Sequence, residues 1–171
     1  MNHALNRSGR VIFRQLLTAA LFLIAVALYA AGGVEIWSAA DIKTSAGKLA
    51  TEASAKNIAG RTLGAWGNHS ASLWRRAKSG EAELHKTKTD LIVVEQGSAT
   101  LVFGGVIAEP RTSAPNEVRG KSIQQGESRK LGPGDVVRIP AGTPHQFILE
   151  NGETVAYFAL KIARQVPPDG H

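Results

Sequence analysis

Histidine is scarce in this chain, five in 171 residues, and two of the five stand where an imidazole could do chemistry. His85 lies in Glu83-Leu84-His85-Lys86-Thr87-Lys88-Thr89-Asp90, and His145 ends the run Gly134-Asp135-Val136-Val137-Arg138-Ile139-Pro140-Ala141-Gly142-Thr143-Pro144-His145. Neutral imidazole ligates transition metals and takes up protons near neutral pH. Asp90 offers a carboxylate close to His85. Sixty residues separate the two histidines, so only a tertiary fold can bring them together. Other chemistry is thin. There is no cysteine, hence no thiol nucleophile, disulfide or cysteine-held metal. Gly-x-Ser-x-Gly, Gly-rich phosphate loops and His-Glu-x-x-His are absent, and no organic cofactor is expected.

The elements that must position these residues read as short strands. Ser72–Arg76, Leu91–Glu95, Ser98–Phe103, Glu127–Leu131, Val136–Ile139, Gln146–Leu149 and Thr154–Ile162 are apolar or alternating runs separated by turn residues. Pro140-Ala141-Gly142 ends one strand and starts the next. His145 then enters at the turn and shares a face with Phe147 and Leu149. The polar stretch from Ala108 to Gln125, with Pro110, Pro115 and Gly120, reads as a surface loop. Trp66 and Trp74 are expected to cover the barrel or its end. Short strands at regular spacing predict an all-β fold, a barrel or jelly roll-like double sheet, over 62–163. Residues 41–61, rich in Ala, Lys and Glu, predict a short helix or spacer. Residues 164–171 form a polar tail.

Arg7, Arg10 and Arg14 precede an uncharged run of 19 residues from Leu16 to Val34. As a helix it would be about 28 Å long, just enough to cross a bilayer. Basic residues before an apolar run predict a signal peptide or a single membrane anchor over 1–40. Ser38-Ala39-Ala40 offers small residues for cleavage before Asp41. The expectation is an exported, periplasmic or extracytoplasmic protein, soluble after cleavage or held to the membrane through this segment.

The run Gly134 to His145 resembles the second motif of the cupin family: Gly, five residues, Pro, one, Gly, two, His. Gly134, Pro140, Gly142 and His145 all match. The asparagine that usually follows four residues later is Leu149 here. The first cupin motif is matched more loosely. Gly80, His85 and Gly97 are present, Thr87 stands at the second histidine and Asp90 replaces glutamate. The resemblance spans about Gly64 to Ile162 and implies a small single-domain cupin barrel. It implies metal ligands at His85, Asp90 and His145, a set that suits Fe, Mn, Zn or Ni. A hydroxyl at Thr87 is a poor ligand and would orient a bound water. Gln146 would orient substrate; His69 reads best as a surface or strand-entry histidine, with a fourth ligand or pocket base as the alternative.

Each residue has a plainer reading beside that one. His145 could be a hydrogen-bonded interior histidine, His85 a strand-end residue and Asp90 a turn cap. Glu81 and Glu83, two apart, read best as a solvated edge. Lys86 and Lys88 fall on the strand face opposite His85 and Thr87. The family implies dioxygenases, isomerases, lyases and decarboxylases acting on small molecules, and no residue here selects one reaction. The alternative is a non-catalytic ligand-binding or sensing barrel in the cell envelope, and pairing of strand edges into a homodimer suits either. Net charge is +6. Three arginines and one glutamate precede residue 41, leaving 17 basic and 13 acidic residues dispersed over the remainder. No clustered basic face with aromatics appears, so nucleic-acid binding is not expected.

Overall fold

The computed structural model describes residues 33–163. The expected export or anchor segment lies outside the described residues except for its last few, and the tail 164–171 lies outside them entirely. The chain divides into two units, Met1–Ser38 and Ala39–His171, and every described element belongs to the second. Among the described residues no helix is long and apolar enough to cross a membrane.

Helix α1, Ala39–Lys56, is built from good helix formers and buries a narrow stripe of Ala46, Leu49 and Ala53. Asn57, at φ 70°, stops it in the left-handed conformation. Thirteen strands follow: β1 Ile58–Trp66, β2 His69–Arg76, β3 Ala82–His85, β4 Lys88–Gly97, β5 Ala99–Phe103, β6 Val106–Ala108, β7 Arg111–Ala114, β8 Glu117–Gly120, β9 Ser122–Gln124, β10 Glu127–Leu131, β11 Val136–Ile139, β12 His145–Ile148 and β13 Val155–Ala163. They form two large antiparallel sheets, ordered β1-β2-β13-β4-β11 and β10-β5-β12-β3-β8-β7, with a small β6-β9 pair. The all-β double-sheet expectation holds.

Two apolar clusters result. Between the sheets lie Ile92, Val94, Leu101, Leu131, Phe147 and Tyr157 with their neighbours. On the other face of the first sheet, Ala59, Leu73 and Ala156 receive Ala46, Leu49 and Ala53 of α1. Residues of one strand alternate between the two clusters, as a pleated strand requires: Leu73 faces the helix, while Trp74 packs into the inter-sheet core.

Two expectations need correction. The first strand begins at Ile58, where the composition predicts a helix or spacer. Its pattern is hidden by small residues. Gly60 pairs with Trp74, and a side chain there would meet the indole at 2.3 Å. The polar stretch 108–125 is not a loop. It forms β7, β8 and β9, and β8 joins the second sheet beside β3. Polar residues fill it because β7 is exposed throughout.

Candidate functional site

Register and parity assemble the site. On β3, Glu83 and His85 share one face. Glu83 stands opposite His145 on β12, and His85 stands opposite Glu117 on β8. The facing sheet supplies Asp90 on β4, paired with Lys161 on β13 and flanked by Ile139 on β11. These side chains converge on a cavity of about 630 Å³ between the sheets. The two sequence motifs also touch through the backbone: the Gly142 amide donates to the His85 carbonyl at 2.8 Å. Gly142 holds φ at +81°, which favours glycine at this turn.

Asp90, His85 and His145 are all buried. Asp90 Oδ2 lies 3.3 Å from His85 Nε2 and 3.6 Å from His145 Nε2. The group whose donor atoms all lie within 4.8 Å of one another is Glu83, His85 and His145, and Asp90 sits beside the two imidazoles from the facing sheet. The partners of the rings define their neutral tautomers. His145 Nδ1 lies 3.0 Å from the Thr143 carbonyl, which can only accept, so Nδ1 carries the hydrogen. His85 Nδ1 donates to the Glu117 carboxylate, and its Nε2 accepts from the Lys161 ammonium at 2.7 Å. In these neutral forms both rings aim an Nε2 lone pair at the cavity, whereas protonated His85 donates from Nε2 to Asp90 instead. A carboxylate or carbonyl on the far nitrogen is the arrangement that orients metal-binding imidazoles.

Charge balances around these groups. Lys161 Nζ lies 2.9 and 3.1 Å from the two oxygens of Asp90. Arg76 and Arg119 each hold one oxygen of Glu83 at 3.0 Å, and Arg76 also donates to the Tyr157 hydroxyl. Burial opposes ionisation of Asp90, but hydrogen bonds from His85 and Lys161 and their charges hold its pKa below the ordinary aspartate value. Burial likewise opposes charge at His85. There the hydrogen bond to Asp90 and the charges of Asp90 and Glu117 win over burial and Lys161, and its pKa rises. At His145 burial prevails, and the pKa falls below the ordinary histidine value. Burial also pushes the Tyr157 hydroxyl up.

The structure brings His85, Asp90 and His145 together, and it removes three other sequence-chosen residues from the cavity. Thr87 is exposed in the bend between β3 and β4. There the chain passes from one sheet to the other, so strand parity restarts. Lys88, Asp90 and Ile92 face the cavity, whereas Lys88 had been expected opposite His85. His69 sits at the far end of the β1–β2 hairpin, stacked on Trp66 and bonded to Asn68. Gln146 has the opposite parity to His145, and its amide donates to the carbonyls of Gly80 and Lys121. It ties chain segments together rather than touching the cavity. Glu83, expected on a solvated edge, is buried and doubly paired.

Sequence reasoning missed Arg76, Glu117 and Lys161. Arg76 shares strand parity with Trp74 and Lys161 with Tyr157, a signal present in the sequence. Glu117 lay in the supposed loop and gave none.

No family model and no curated protein matches the chain. Similar solved structures exist. Polyketide cyclase RemF from Streptomyces resistomycificus is 23% identical, with a TM-score of 0.46 over 66% of this chain and 69% of that one. A sugar phosphate isomerase of the cupin superfamily from Silicibacter pomeroyi is 18% identical, with a TM-score of 0.45 over 67% and 64%. A cupin superfamily protein from Desulfitobacterium hafniense is 18% identical, with a TM-score of 0.43 over 62% and 77%. These are likenesses of fold. The two-sheet order and the positions of Gly134, Pro140, Gly142 and His145 within it make the fold a cupin-type barrel on this chain's own terms.

Proposed function

We propose that this cupin-type barrel holds one divalent metal through His85, Asp90 and His145 and acts on a small molecule in the cavity beside it. The observation that carries the reading is the pair of Nε2 lone pairs aimed into one cavity, each ring oriented through its other nitrogen, with a buried carboxylate 3.3 and 3.6 Å away. Donors about 2.1 Å from a tetrahedral ion are about 3.4 Å apart, which the Asp90–His85 and Asp90–His145 separations match. Glu83 is the less available carboxylate, because two arginines that keep their charge occupy its oxygens. Two imidazoles and one carboxylate suit Fe, Mn, Zn or Ni. A bound metal would supply Lewis acidity toward a substrate oxygen. Glu117 and the Thr143 carbonyl hold the imidazoles in register, and Trp74 and Phe147 line the apolar part of the cavity. A cavity of about 630 Å³ is of a size that takes a small molecule.

Export, with residues 1–40 cleaved or kept as an anchor, belongs to the same proposal. It is supported by the arginine-led apolar run. A homodimer formed through strand edges is proposed as well, tested by light scattering of the full chain.

Elemental analysis of the purified full chain tests the metal reading. The expected result is close to one divalent metal per chain, lost in His145→Ala and in Asp90→Asn while circular dichroism stays unchanged. A folded chain that takes up none of the four metals sinks it. One observation favours a second reading, a non-catalytic ligand-binding barrel: the Lys161 ammonium already neutralises Asp90. A metal-free chain that still binds small molecules would establish that alternative.

A further inference from the structure

The cavity lining carries five cationic side chains, Arg76, Lys78, Lys88, Arg119 and Lys161, and four carboxylates, Glu81, Glu83, Asp90 and Glu117. Arg76 and Arg119 are committed to Glu83, and Glu81 is held by Arg111. Lys161 is different. Its ammonium touches His85 Nε2 and both oxygens of Asp90, three of the donor atoms a metal would need. An ammonium and a metal cannot share the single lone pair of His85 Nε2, and their like charges repel at the Asp90 oxygens. Lysine is a point charge on a flexible stem, and the Lys161 side chain is 29% exposed, so it has somewhere to go.

We propose that metal loading displaces the Lys161 ammonium from Asp90 and His85, and that the freed ammonium beside the metal makes the site select carboxylate-bearing small molecules. The proposal rests on the metal reading above. Before loading, the lining has one positive charge in excess, five against four. A dication raises the excess to three, with Lys161 no longer paired. An anionic group bound there gains full charge–charge attraction from both cations, whereas a neutral polyol gains only the weaker attraction of its hydroxyl dipoles. Lys161 thus has two successive roles, competitor for the metal and partner for the substrate's carboxylate.

The test uses the full-length chain and its Lys161→Met variant. Mn(II) binding is followed by the loss of the free-ion paramagnetic resonance signal. Lactate and propane-1,2-diol, which differ by a carboxylate, are then titrated into the Mn(II)-loaded protein and followed by water-proton relaxation. Lys161→Met is expected to bind Mn(II) about tenfold more tightly and lactate about tenfold more weakly than the wild type, since a lost charged hydrogen bond has about that worth. The diol should leave the relaxation of both unchanged. Equal lactate affinity in the two proteins overturns the role of Lys161 and leaves the metal reading standing. Loss of Mn(II) binding in Lys161→Met overturns it too, because Lys161 would then support the metal rather than compete with it. A folded wild type and variant that both ignore Mn(II) sink the metal reading, and the present inference with it.

Discussion

Glu117 decides how His85 can act. A carboxylate on Nδ1 fixes the ring and raises the basicity of Nε2, and removing such a partner typically weakens metal binding about 10–100-fold. Glu117→Ala is therefore expected to lower metal affinity by that order, read by competition with a chromogenic chelator, while leaving the fold intact. Glu83 should behave differently. Burial opposes its charge, but Arg76, His145 and Arg119 outweigh burial and hold its pKa below the ordinary 4.5. A carboxyl depressed in the folded state adds stability above its unfolded pKa and loses that contribution as pH falls through the folded pKa. Stability from Glu83 is thus complete above about pH 4.5 and disappears in stronger acid. Glu83→Gln leaves Arg76 buried without its counter-charge, so it should cost about 3 kcal/mol at pH 7. It should also flatten the acid limb of a plot of melting temperature against pH. A variant as stable as the wild type at pH 7 would show that the Arg76–Glu83–Arg119 group contributes little.

At the scale of elements, α1 is tied to the barrel by small contacts, with Leu49 the largest side chain among its buried residues. Leu49→Ala should cost about 2–3 kcal/mol, checked by urea unfolding, without moving Asp90 on the other face of the sheet. Gly97 ends β4 at φ +73°, and a side chain there would stand 1.9 Å from the Thr154 carbonyl oxygen. Gly97→Ala meets both backbone strain and a clash with the main chain, so a loss of at least about 2 kcal/mol is expected in the same assay. The strands legible in the sequence were those with strong apolar patterning, among them Val136–Ile139 and the long closing strand that carries Tyr157 and Lys161. The strands from Arg111 to Gln124 were not legible. β8 is held in the sheet by β3, more than thirty residues earlier, and β7 has no buried face to leave an alternating pattern.

For the whole molecule, the apolar core between the sheets borders the cavity, and Trp74, Ile92, Phe147 and Tyr157 line it together with the paired charges. Among the described residues every buried side-chain nitrogen and oxygen has a partner. Proposed export is also a property of the whole chain. In a bacterial host the full chain should fractionate outside the cytoplasm. Reversing the charges of Arg7, Arg10 and Arg14 together should reduce that fraction, read by immunoblot of separated compartments. An unchanged distribution would remove the basic residues from the account.

Local spacing was enough to locate His145 at the mouth of a Pro-x-Gly turn, because that turn's geometry is set within a few residues. It was enough, too, to pick out His85 and Asp90 as polar groups at strand ends. What they face was decided only in three dimensions. Thr87 left the cavity because the chain changes sheets beside it, and Glu83 entered it because β3 lies inside its sheet, between β12 and β8, rather than at an edge. Lys161 reached Asp90 through antiparallel register across seventy residues of sequence. A residue's own periodicity tells which side of a strand it occupies, whereas pairing between distant strands determines what waits on that side.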